Sequence, residues 1–126
     1  MTETGAVRVM LVDDHADFRR LVAAVVDREA DLEVVAQAGS LEEARGRIAS
    51  VECDVAVLDM SLPDGLGSDL IAGLRKICPG SAVLILSASL DAANLARVKE
   101  AGADEVLDKF GNPAEVVGAI RQRGAG

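Results

Sequence analysis

Residues 7–15 read VRVMLVDDH: six residues with the composition of a β-strand, Val7 to Val12, run into two aspartates and a histidine. An apolar run this short is a strand rather than a helix, and one that is nearly continuous belongs to a sheet covered on both faces. The same form recurs along the chain. Asp54 to Leu58 is a strand followed by Asp59, and Ala82 to Leu86 is a strand followed by Ser87. Glu105 to Asp108 is a weaker strand followed by Lys109, and Leu32 to Ala38 ends without a charge, at Gly39-Ser40.

Helical spacing fills the intervals. Ala16 to Arg28 carries Phe18, Leu21, Val22, Val25 and Val26 on one face. Leu41, Ala44 and Ile48 mark a second helix, and Ser40 with Glu43 three residues later forms its capping box. Leu66 to Lys76 reads as a third helix, stopped by Pro79-Gly80, and Asp91 to Ala101 as a fourth, ended by Gly102. Asn112 caps a fifth, with Pro113 at its first position, running to about Gln122. Five βα units in order predict a three-layer α/β fold, a (βα)5 doubly wound parallel sheet of flavodoxin-like order 2-1-3-4-5. Five units are too few for a closed eight-stranded barrel. The 126 residues suit one domain with its core over about 7–122, and 123–126 as a tail or the start of a linker.

Composition narrows the function. There is no Trp or Tyr, and the aromatic residues are Phe18 and Phe110, so a base-stacking platform is excluded. A net charge of -8 opposes nucleic-acid binding, which needs clustered Lys and Arg. Cys53 and Cys78 form no CxxC and read as reduced thiols. No apolar run is long enough to span a bilayer and Met1 to Arg8 has no signal-peptide core, so the expected location is cytoplasmic, without membrane association.

The polar residues that interrupt the pattern all fall at C-terminal strand ends: Asp13 and Asp14, Asp59, Ser87, and Lys109. In an open parallel sheet that edge holds the binding crevice, at the switch point between the first and third strands. Carboxylates about 5 Å apart repel by roughly 3 kcal/mol at an effective dielectric near 20. Such a cluster must raise a pKa or hold a cation, and an all-oxygen donor set suits Mg²⁺. A lysine and a hydroxyl across the crevice complement an anion. A cation site, an anion site and a carboxylate between them describe phosphoryl transfer onto Asp. His15, after the acids, reads as an exposed helix-start residue rather than a ligand.

The blocks Val12-Asp13-Asp14-His15, Val57-Leu58-Asp59-Met60-Ser61-Leu62-Pro63-Asp64-Gly65, Leu86-Ser87-Ala88 and Asp108-Lys109 resemble the signature blocks of response-regulator receiver domains of two-component signalling, the CheY-like family. The resemblance covers about Val7 to Gln122. It implies that Asp59 accepts a phosphoryl group from the phosphohistidine of a sensor histidine kinase. It implies that Asp14 binds Mg²⁺ directly, Asp13 mainly through water, and that Asp59 and the backbone carbonyl of Ser61 complete the metal ligands. Lys109 would pair with Asp59 and then with the phosphate, which the Ser87 hydroxyl and the Ala88 amide would also bind. Ser61 and Ser89 match positions that tune dephosphorylation. Two positions depart from the family pattern. Val106 stands where many receivers have the aromatic that swings inward on activation, and Phe110 follows the lysine where Pro, often cis, is common.

The resemblance implies a phosphoacceptor switch rather than an enzyme, with a phosphorylation-linked homodimer and a transcriptional output through a helix-turn-helix domain outside this chain. A stand-alone receiver or an unphosphorylated pseudo-receiver is the alternative. A haloacid-dehalogenase-type phosphatase is opposed by Ser61, which stands where that chemistry needs a second acid. The P-loop pattern is absent, and an acidic crevice opposes the phosphate of a flavin. The fourth helix, with Leu90, Leu95 and Val98 as a sparse apolar set, is expected to be marginally anchored and to transmit the signal together with the fifth strand and fifth helix.

Overall fold

The computed structural model describes residues 5–124. Five parallel strands form one sheet: β1 (Val7–Val12), β2 (Leu32–Ala38), β3 (Val55–Asp59), β4 (Ala82–Ser87) and β5 (Glu105–Asp108). Their order is β2-β1-β3-β4-β5, as the alternation of elements predicts. The helices are α1 (Ala16–Asp27), α2 (Leu41–Ile48), α3 (Ile71–Ile77), α4 (Ala92–Ala101) and α5 (Pro113–Gly124).

The period-two alternation of the strands divides their apolar residues between two cores. Met10, Val12, Ala56, Leu58, Val83 and Ile85 pack with Leu41, Ile48, Leu70, Ile71, Leu74 and Val98, under α2, α3 and α4. Val9, Leu11, Val55, Val57, Leu84 and Leu86 pack with Val22, Val26, Val116, Val117 and Ile120, under α1 and α5. Each central strand therefore needs apolar residues at every position. Truncating a fully buried member such as Leu74 or Ile120 to Ala would cost about 2–5 kcal/mol.

The structure corrects several local expectations. Leu66 does not start the third helix. Ser61–Leu62 pairs antiparallel with Gly65–Leu66 in a small hairpin, Gly67–Leu70 is a 3₁₀ turn, and only then does α3 begin. Gly65, at φ +150°, serves this hairpin, and the backbone N–H of Leu66 is satisfied by the Asp69 carboxylate at 3.0 Å. Leu21, expected on the buried face of α1, is 53% exposed; Val22, Ala23 and Val26 carry that packing instead. The capping box of α2 is half displaced. Ser40 Oγ accepts from the Glu43 N–H, but the Glu43 carboxylate accepts from Gly39 rather than Ser40. The remaining amides of the α2 N-terminus donate to Asp64, whose Oδ1 and Oδ2 accept from Leu41 and Glu42 at 2.8 and 3.0 Å. Asn112 Oδ1 accepts from the Ala114 N–H at the start of α5. Arg123 and Gly124, expected in a tail, belong to that helix; Ala125 and Gly126 lie outside the described residues.

Candidate functional site

The C-terminal ends of β1, β3, β4 and β5 converge on one open cleft of about 460 Å³, lined by Asp14, Asp59, Ser61, Ser87, Ala88 and Lys109 among others. Asp59 is the last residue of β3, and the adjacent backbone is fixed on both sides. The Met60 N–H donates to the Leu86 carbonyl and the Gly67 N–H to the Met60 carbonyl, each at 2.8 Å. Gly67 lies against Asp59 so closely that a Cβ there would collide with the Asp59 carbonyl oxygen.

Lys109, 6% exposed, reaches across the cleft. Its Nζ lies 2.9 Å from Asp59 Oδ2 and 3.0 Å from Asp13 Oδ2, with its charge 5.0 Å from the centre of the Phe18 ring. Burial pushes the Asp59 carboxyl above its ordinary value, and the nearby Asp13 charge adds to this; the Lys109 hydrogen bond opposes without overcoming it. Burial pulls Lys109 down, but hydrogen bonds and charge from Asp59 and Asp13 outweigh it, so the ammonium is favoured.

Asp13 is also buried. Its Oδ1 accepts from the backbone N–H of His15 at 2.8 Å. Its Oδ2, though 3.0 Å from Lys109, receives no well-directed hydrogen bond and is left without a hydrogen-bond partner. One ligand atom each from Asp13, Asp14, His15 and Asp59 lie within 4.8 Å of one another. Three carboxylates gathered beside a single ammonium leave an excess of negative charge, and their all-oxygen donor set fits a hard divalent cation.

The Ser87 hydroxyl turns toward the β4–α4 loop. It donates to the Ser89 carbonyl at 2.6 Å and accepts from the Ser89 N–H at 3.2 Å. Asn94 Nδ2 of α4 donates to the same carbonyl, and Asp91 caps that helix by accepting from the Asn94 N–H. In α4 only Val98 is buried, and Leu90 is 43% exposed, in keeping with a sparsely anchored helix. Val106 is half-buried and packs on the core beneath α4. The peptide bond before Phe110 is trans, like every other bond among the described residues, and the Phe110 ring is 74% exposed.

Several neighbours of the cleft were not legible as such. His15 is exposed and stands at the start of α1, as expected, but its ring faces the acids: Nδ1 is 3.2 Å from Asp13 Oδ1, 3.4 Å from Asp14 Oδ1 and 3.0 Å from Lys109 Nζ. Its place directly after Asp-Asp was the available signal. Phe18, one helical turn beyond His15, lies under Lys109, and Asn94 and Arg97 line the cleft from α4.

Residues 9–121 match the family model for the response regulator receiver domain. The chain belongs to this family. Among curated relatives, the DNA-binding transcriptional activator DevR/DosR of Mycobacterium tuberculosis is 37% identical over 95% of this chain and 55% of its own length. A protein-glutamate methylesterase/protein-glutamine glutaminase of Caulobacter vibrioides is 35% identical over 89% of this chain and 32% of its own. The chain thus spans about a third to a half of these curated relatives. Among solved structures, the signal receiver domain of the response regulator NarL from M. tuberculosis superposes at TM-score 0.89, with 30% identity over 96% of this chain and 98% of that one. A LuxR-family response regulator from Aurantimonas superposes at 0.87, with 31% identity over 95% and 86%. The receiver domain described here therefore shares both sequence and fold with two-component response regulators. Among its described residues, no helix is long and apolar enough to cross a membrane.

Proposed function

We propose that this receiver domain is a phosphoacceptor switch in which Asp59 takes a phosphoryl group from the phosphohistidine of a sensor histidine kinase. The observation that carries this reading is the buried Asp59–Lys109 pair at 2.9 Å beside the Asp13 and Asp14 carboxylates: a nucleophile held next to a site for cation and anion charge. An Asp59 carboxylate oxygen forms the new bond to phosphorus. The donor's phosphorus–nitrogen bond breaks, and its electron pair leaves on the imidazole nitrogen. Lys109 holds Asp59 in its ionised form, then pairs with the acyl phosphate; the Ser87 hydroxyl and the Ala88 N–H donate to the remaining phosphoryl oxygens.

Asp13, Asp14, Asp59 and the Ser61 carbonyl would hold Mg²⁺, which when bound neutralises charge on the phosphoryl oxygens. On this reading the chain assists its own phosphorylation and dephosphorylation but turns over no separate substrate, and it works in the cytoplasm. The hydrogen bonds of Ser87 supply a relay that needs no aromatic at Val106. Turning the hydroxyl to the phosphate would take one of two donors from the Ser89 carbonyl, leaving Asn94 as the other, and so would loosen the loop that leads into α4. The exposed α4–β5–α5 face would then change its contacts with a second copy. Relatives that are transcription regulators support an output through a DNA-binding domain outside this chain.

Incubation with acetyl phosphate and Mg²⁺ tests the reading. The expected result is a base-labile mass gain of one phosphoryl group, absent in Asp59→Asn and after chelation. No gain, or the same gain in Asp59→Asn, overturns it. Hydrogen exchange over residues 87–110 tests the relay: the start of α4 is expected to lose protection on phosphorylation, and equal protection in both states rejects it.

A further inference from the structure

We propose that Arg19 is a positioning residue for the cation site, its guanidinium fixing the backbone that aims Asp13 and Asp14 as a pair. The inference rests on the reading of those acids as holders of a divalent ion.

Arg19 lies near the start of α1 and reaches back to the turn that its own helix follows. Its Nη1 donates to the Asp13 carbonyl at 2.7 Å, and its Nε donates to Gln37 Oε1 on β2 at 3.2 Å. A guanidinium presents its donors as a rigid planar fork, so the Gln37 bond fixes the direction from which the Asp13 carbonyl is held. That carbonyl belongs to the peptide plane joining Asp13 to Asp14. The plane on the other side of Asp13 is held as well, because the Asp13 N–H donates to the Ala38 carbonyl at 2.9 Å. Both soft torsions of Asp13 are thereby fixed. The consequence is greater for its neighbour. The Asp13 carboxylate has its own bond from the His15 N–H at 2.8 Å, whereas Asp14 is exposed and is aimed chiefly by the backbone that carries it.

The chain leaves room for this arrangement. A Cβ at Gly39 would stand 3.3 Å from Arg19 Nη1, closer than side chains ordinarily pack. No residue of β2 lines the cleft, yet Gln37 of that strand anchors the group that orients two of the cleft's acids.

Positioning and charge predict opposite signs. A guanidinium beside the acids repels a divalent ion, so removing its charge alone would tighten binding. Removing the donor to the Asp13 carbonyl frees the plane that carries the two acids, and weakens binding. A contribution to stability alone leaves the affinity of the folded protein unchanged.

Calorimetric Mg²⁺ titration of the folded protein, with acetyl phosphate labelling across a range of Mg²⁺ concentrations, tests this. Arg19→Leu is expected to weaken Mg²⁺ binding about tenfold and to raise the half-saturating Mg²⁺ for labelling in step. Its labelling rate at saturating Mg²⁺ is expected to stay within about twofold of wild type. Gln37→Leu changes no charge and is expected to weaken Mg²⁺ about threefold. The double variant is expected to bind no more weakly than Arg19→Leu, since both act through one carbonyl. Unchanged Mg²⁺ affinity in either single variant, tighter binding in Arg19→Leu, or a rate loss that saturating Mg²⁺ does not restore overturns the inference. If Arg19→Leu does not fold, Gln37→Leu decides the matter by the same criterion. Asp14→Asn separates the two levels. If it weakens Mg²⁺ while Arg19→Leu and Gln37→Leu do not, the cation site stands and the positioning role falls. If Asp14→Asn leaves Mg²⁺ affinity unchanged, the cation-site reading fails as well.

Discussion

The two edges of the sheet carry charge in opposite ways. At the edge where the strands begin, the charges of Arg8 and Arg75 each have partners of the other sign. Arg8 at the start of β1 donates to both carboxylate oxygens of Asp54 and to Glu52. Arg75 donates to Asp104, to the Gly102 carbonyl and to the Ser81 carbonyl, and Asp104 also accepts from the Val83 N–H at 2.7 Å. At the edge where the strands end, Asp13, Asp14 and Asp59 gather around one lysine. The first edge is settled by its own hydrogen bonds. The second has an excess of negative charge, the kind of imbalance from which a cation site can be built.

The comparison can be broken in four ways. The largest effect is expected from volume rather than charge. Gly67→Ala drives a methyl into the Asp59 carbonyl oxygen and should cost about 3 kcal/mol in urea unfolding; a loss under about 0.5 kcal/mol would show that the turn beneath Asp59 is free to shift. Next, Asp104→Ala at the settled edge leaves the Val83 N–H without its acceptor and Arg75 without its carboxylate, and should cost about 1–3 kcal/mol.

The third effect has the opposite sign. Without divalent ions, Asp14→Asn should stabilise the fold by about 1 kcal/mol, because it relieves repulsion among the acids. Wild type should regain about 1.4 kcal/mol when Mg²⁺ is present at about ten times its dissociation constant, and Asp14→Asn should not. Destabilisation by Asp14→Asn would place this cluster among the settled charges.

The smallest effect is in the pH profile, where the two edges titrate in opposite directions. The Arg8 hydrogen bond holds Asp54 below its ordinary value. Burial works to raise Asp104, but the Arg75 bond and the Val83 N–H prevail and hold it low. Their stabilisation is present above the unfolded value of about 3.9 and is lost as pH falls through the lower folded values. Asp59 is raised in the folded state, chiefly by burial. The folded chain therefore binds its proton more tightly, and stability rises as pH falls from that raised value toward about 3.9. Unfolding of wild type and Asp59→Asn in chelated buffer should show this small rise in wild type alone, with the acid loss common to both. A rise in both proteins would assign it elsewhere.

How much of this was legible in the sequence follows from where each signal resides. Strand order and the convergence of Asp13, Asp59, Ser87 and Lys109 could be read because apolar runs end at those residues, and the topology of parallel sheets places strand ends together. Residues 66–70 depart from the expected helix because Leu66, Leu70 and Leu74 keep helical spacing while Gly65 and Gly67 serve a hairpin and a close approach to Asp59. Leu21 kept the period of α1 but faces solvent, because Ala23 takes up the packing beside Val22 and Val26. Asp64 gave no sign that it would cap α2, since its partners lie 22 and 23 residues away. The Ser87–Ser89–Asn94 bonds depend on side-chain rotation, which spacing along a chain does not encode.

The cleft also bears on how the molecule comes into being. Lys109 meets Asp59 across 50 positions of chain and Asp13 across 96. Loop closure over such distances is not favoured by any local element and succeeds only once β1, β3 and β5 share one sheet. A nascent chain that has emerged only as far as β4 carries Asp13, Asp14 and Asp59 but not Lys109, the ammonium that gathers them. On the proposed function, the ability to accept a phosphoryl group at Asp59 would therefore be acquired late and all at once, so that signalling competence would certify a finished fold.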